Sequence, residues 1–124
     1  MPDTDDYAAS LMDDMEPRLL ELIQTRINSF IKWDLVRFFH ENPHTTDTAD
    51  SIARYTGRDV RTVEPELVQL AHDGVLDMED LSGMRVFTFA TNPDMRELIT
   101  SFIQACDDRQ FRVKAIYHVI RNLR

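Results

Sequence analysis

The chain has 124 residues, 43% of them hydrophobic, which is enough for one domain with a real core. Its single cysteine excludes an internal disulfide, and no run approaches the roughly 20 apolar residues that a membrane span needs. The start, Met1-Pro2-Asp3-Thr4-Asp5-Asp6, has neither the basic nor the apolar stretch of a signal peptide, so the expected setting is cytoplasmic with no membrane partner.

The net charge of −8 is unevenly spread. Six acids and no base occupy residues 1–16, and the first 13 are polar and without sustained periodicity, so they are expected to be a disordered acidic tail. The remainder, 14–124, reads as a single domain. Pro17 suits the first turn of a helix that carries Leu19, Leu20, Ile23, Ile27, Phe30 and Ile31 at spacings of three and four. Ser29 can cap a second helix with Trp33, Leu35, Val36, Phe38 and Phe39, which ends near Glu41 because Asn42 precedes Pro43.

Asp47 or Thr48 can cap a short helix with Ile52 and Ala53, closed by Gly57. A helical stripe of Val63, Leu67 and Leu70 follows and stops at Gly74. Val75, Leu76 and Met78 begin an extended run, Leu81-Ser82-Gly83-Met84 turns it, and Val86, Phe87 and Phe89 return it as a hairpin. Asn92-Pro93-Asp94 caps a helix with Met95, Leu98, Ile99, Phe102 and Ile103. Asp107-Asp108 reads as the cap of a last helix with Phe111, Ala115, Ile116, Val119, Ile120 and Leu123. Beyond Asp108 every charge is basic: Arg109, Arg112, Lys114, Arg121 and Arg124.

Little here carries catalytic chemistry. His40-Glu41-Asn42-Pro43-His44 matches the H-E-x-x-H zinc pattern, but that site needs both histidines on one face of a continuous helix, and Pro43 interrupts it. Cys106 reads as a small core residue, and the three glycines sit at turns rather than in a phosphate loop. No enzyme activity, metal or cofactor is expected.

The order from Ile31 to Asn92 (helix, polar break, short helix, turn, helix, hairpin) resembles the winged helix-turn-helix of small bacterial and archaeal transcription regulators. The resemblance covers residues 31–92, about half the chain, with Thr48 to Ala53 as the first helix, Arg58 to Asp73 as turn and recognition helix, and Val75 to Ala90 as the wing. It implies a mainly α fold with a small β-hairpin and extra helices at both ends. It also implies a recognition helix in the major groove and a wing on the backbone. Carried over to this chain, that directs Arg58, Arg61, Thr62, Glu66 and Gln69 toward DNA, with Arg54 nearby and Arg85 on the wing.

The charge departs from that pattern. Residues 43–92 hold four bases against nine acids, short of the basic footprint of a DNA binder. Pro65 lacks an N–H, so the regular helix is expected to start near Thr62 with Glu64, Pro65 and Glu66 as its first turn. Carboxylates there suit the helix dipole but meet phosphates badly. Two readings follow: a DNA-binding regulator with weak contacts, or an acidic winged-helix module for protein–protein assembly without DNA. The apolar surplus at Leu19, Leu20, Ile23, Ile27, Ile116, Val119, Ile120 and Leu123 predicts a two-fold homodimer through the terminal helices.

Overall fold

The structure, a computed structural model, describes residues 15–123. The tail expected to be disordered, 1–13, lies outside them, as does Arg124. Pro17 opens α1 (Pro17–Thr25), where its missing N–H would have no helical partner in any case. Ser29 lies in extended backbone and accepts from the Lys32 N–H, capping α2 (Phe30–Glu41). α2 ends before Asn42-Pro43, so His44 falls beyond the helix and shares no helical face with His40.

A two-residue strand, β1 (Thr46–Asp47), follows before Thr48 caps α3 (Ala49–Thr56). Gly57, at φ 69°, closes α3 in the left-handed region that costs an L side chain dearly. Asp59 then accepts from the Arg61 N–H and caps α4 (Val60–His72). This corrects the expected start near Thr62: the cap lies three residues earlier, and Pro65 falls inside the helix rather than in its first turn. The Arg61 carbonyl thereby loses its i+4 donor, but both residues are exposed and water reaches the site.

β2 (Leu76–Leu81) pairs antiparallel with β3 (Met84–Phe89) from Leu76 opposite Phe89 to Leu81 opposite Met84. The two turn residues, Ser82 at φ 53° and Gly83 at φ 82°, are both left-handed, as a tight hairpin with native twist requires. β1 joins the other edge of β3, giving a three-stranded sheet in the order β1-β3-β2. α5 (Pro93–Ala105) is capped by Asn92, and α6 (Arg109–Asn122) by Asp108. Among the described residues the fold is therefore mainly helical, six helices with a small antiparallel sheet. None of those helices is long and apolar enough to cross a membrane.

The core gathers Leu35, Val36 and Phe39 of α2, Ile52 of α3, and Val63, Leu67 and Leu70 of α4. Leu76, Phe87 and Phe89 from the hairpin, with Ile99 and Phe102 of α5, join it, as do Leu22 of α1 and Ala115 of α6. Trp33 and Phe38 are only half-buried at its edge, because α2 turns Lys32, Leu35, Val36 and Phe39 inward. The terminal helices pack on each other: α1 lies against α6 and α5. That contact absorbs much of the expected apolar surplus. Leu19, Ile23, Ile27 and Val119 are buried within the chain, and Leu20 and Ile116 are half-buried. Only Ile120 and Leu123 of that set are exposed.

Candidate functional site

α3, the Gly57 turn and α4 lie beside the hairpin, and the candidate residues are spread around them. Arg61 and Thr62 are exposed in the first turn of α4. Arg85 is exposed near the turn end of β3. A shallow cleft of about 230 Å³ runs between the start of α3, α4 and the hairpin, and Glu64, Asp50, Met84 and Arg85 line it. Arg54 is exposed in the last turn of α3. Arg61, Thr62, Arg85 and Arg54 therefore all reach solvent.

Arg58 and Gln69 are both engaged by α2, although Gln69 remains exposed. The Arg58 guanidinium turns back onto α2, donating from Nη2 and Nε to Asp34 Oδ2 at 2.6 and 3.2 Å. Gln69 is drawn to the same helix by Lys32, whose side chain is only 4% exposed. Lys32 Nζ donates to Gln69 Oε1 at 2.7 Å and to Asn28 Oδ1 at 2.8 Å, with Glu66 Oε2 at 3.5 Å. A buried ammonium is tolerable only with such partners, and this one pins two residues of α4 that the resemblance would aim outward. The signal for it was in the spacing: Lys32 stands three and four residues before Leu35 and Val36, on the inward face of α2.

The electrostatics of the free face are weakly positive at single points and acidic between them. Arg61 pairs with Asp59 at 3.3 Å, and that guanidinium holds the Asp59 carboxyl below its usual range. Arg54 and Arg85 have no ion pair among the described residues. The outer hairpin exposes Met78, Leu81 and Met84 beside Glu79 and Asp80, so Arg85 is its one base. Cys106, at the end of α5, has its thiol pushed up to about 11 by burial and then by Asp107. At neutral pH it is a protonated, poor nucleophile.

The chain matches no family model and no curated protein. Among solved structures it is similar to a possible transcriptional regulator from Methanosarcina mazei Go1, at 16% identity and a TM-score of 0.44. That likeness spans 85% of this chain and 80% of the other. The superposition is too loose for fold or function to pass from one chain to the other.

Proposed function

We propose that residues 31–92 act as the winged-helix module of a transcription regulator and hold duplex DNA weakly, with little sequence preference. The observation that supports this best is the order α2, β1, α3, α4, β2, β3. In it a helix-turn-helix lies beside a hairpin whose Arg85 shares a cleft with Glu64 of α4. The contacts fall to Arg54, Arg61, Thr62 and Arg85, because Arg58 and Gln69 are engaged by Asp34 and Lys32. Asp50 and Glu64 in the cleft repel phosphate, which keeps affinity low.

Binding to a mixed-sequence duplex at two salt concentrations tests the reading. Three arginine–phosphate contacts give a salt slope near −3, so raising salt from about 50 to about 200 mM weakens binding roughly 40-fold. Arg54→Ala and Arg85→Ala each reduce that slope by about one, equally on every sequence. Glu64→Gln tightens binding by removing repulsion. Nanomolar affinity for one sequence in physiological salt would overturn the weak-contact account.

A second reading has its own support: the exposed apolar and acidic hairpin suits a basic protein partner better than a phosphate backbone. Absence of DNA binding even at low salt transfers the function to that assembly role. In either case the proposed assembly is a two-fold dimer. Its interface is the outer face of α6, where Val113, Ile120 and Leu123 are exposed at helical spacing. A monomer at high micromolar concentration by sedimentation would refute the dimer.

A further inference from the structure

A second cleft, of about 250 Å³, is lined by residues of α2, the Arg58 loop and α6. Its floor is aromatic. Phe30 is 40% exposed and stacks on Trp33, with ring centroids 6.3 Å apart and planes 24° apart. Ile116 of α6 supplies an aliphatic wall. Three guanidiniums surround it, those of Arg37, Arg58 and Arg112, and Asp34 is the one carboxylate among the lining residues.

That arrangement leaves positive charge unspent. Asp34 Oδ2 takes Arg58 at 2.6 Å and Asp34 Oδ1 takes Arg37 at 3.3 Å, so two cations share one anion. Arg112 donates from Nη1 to the Cys106 carbonyl at 2.9 Å, a neutral partner. Two positive charges remain in excess around an aromatic floor, in a chain whose net charge is −8. None of the lining residues belongs to α4 or the hairpin, so the cleft is separate from the proposed DNA face.

We propose that this cleft binds a small planar aromatic acid: one ring bearing a carboxylate or a phosphate. The ring lies on Phe30 and Trp33 against Ile116, gaining dispersion and stacking. The anionic group is met by Arg112 and by Arg37, whose planar forks match either oxyanion, while Arg58 stays on Asp34 and adds its charge at a distance. The volume admits a single ring and lies just below the usual range of about 300–1,000 Å³ for drug-sized ligands. A neutral aromatic lacks the charge partner, and a bare anion forfeits the floor.

Trp33 is the only tryptophan in the chain, so its emission reports on the cleft itself. The full chain is titrated with benzoate and with phenyl phosphate, and separately with benzyl alcohol, acetate and inorganic phosphate. Saturable change in Trp33 emission is expected for at least one of the first two. The three controls should bind at least about tenfold more weakly, since each lacks the ring or the charge. The tighter of benzoate and phenyl phosphate identifies the oxyanion. Arg112→Gln, at an exposed position, should weaken binding about tenfold, while Arg61→Gln on α4 leaves it unchanged. The proposal is overturned if benzyl alcohol binds as well as benzoate, if Arg112→Gln changes nothing, or if neither acid saturates below about 10 mM.

Discussion

The buried ammonium of Lys32 joins α2 to α4, and a double-mutant cycle with Glu66 measures that joint. Glu66→Leu removes the only carboxylate paired with Lys32 Nζ among the described residues, leaving a side chain 4% exposed with two neutral acceptors, Asn28 and Gln69. Breaking a buried pair from one side costs about 3–5 kcal/mol, and the partial exposure of Glu66, 23%, puts the expected loss near about 3 kcal/mol. Lys32→Met removes the charge but keeps an unbranched stem of similar length. Asn28 and Glu66 are half-buried and Gln69 is exposed, so all three can turn to water. The expected change is within about 1 kcal/mol of zero.

Lys32→Met with Glu66→Leu together should therefore be little worse than Lys32→Met alone, a coupling of about 2–3 kcal/mol. Urea unfolding followed by far-ultraviolet circular dichroism measures all four corners, free of the neighbouring Trp33 signal. Simple additivity, or a Glu66→Leu variant as stable as the parent, would show that the ammonium is not held as a buried ion pair.

Leu67, fully buried in α4, should lose about 2–5 kcal/mol on truncation to Ala, read as a lower urea midpoint; an unchanged midpoint would place it outside the core. Pro65→Ala restores an N–H inside α4 and should raise stability, by at most about 3 kcal/mol, since proline also restricts the unfolded chain; a lower melting temperature would contradict the helical register. His118 on α6 is held below its ordinary value of 6.5 by burial and then by Arg121, so the folded state favours the neutral ring. Its contribution is full above that ordinary value and is lost as pH falls through the lower folded one. His118→Gln should flatten the rise of stability with pH just below the ordinary histidine value, and an unaltered slope would refute the assignment.

Much of the fold was legible because it is written locally. Ser29, Thr48, Asn92 and Asp108 cap the helices they precede, Gly57 ends α3, and Ser82-Gly83 makes the hairpin turn. What escaped depends on partners distant in sequence or on elements too short to show a period. β1 has two residues and exists only because β3 pairs with it. The start of α4 differs from the expectation because the Asp59 cap, upstream of Pro65, sets it and the exposed helix tolerates the proline. α1 and α6 meet across most of the chain, as in the Asn122 Nδ2 bond to the Ile23 carbonyl, so much of the apolar surplus at the two ends is spent within the chain. The candidate site divides the same way. Arg61, Thr62 and Arg85 follow the helix and hairpin periods outward, whereas Arg58 and Gln69 are turned by Asp34 and Lys32 of α2, which no periodicity within residues 57–92 reveals.

The central claim is that α4 and the hairpin form the face that meets DNA. Amide chemical-shift mapping of the full chain with a mixed-sequence duplex at low salt tests it most directly. The account predicts shifts centred on Arg54, Arg61, Thr62 and Arg85, fading as salt is raised. Shifts confined to α6, or none at all in low salt, would contradict it.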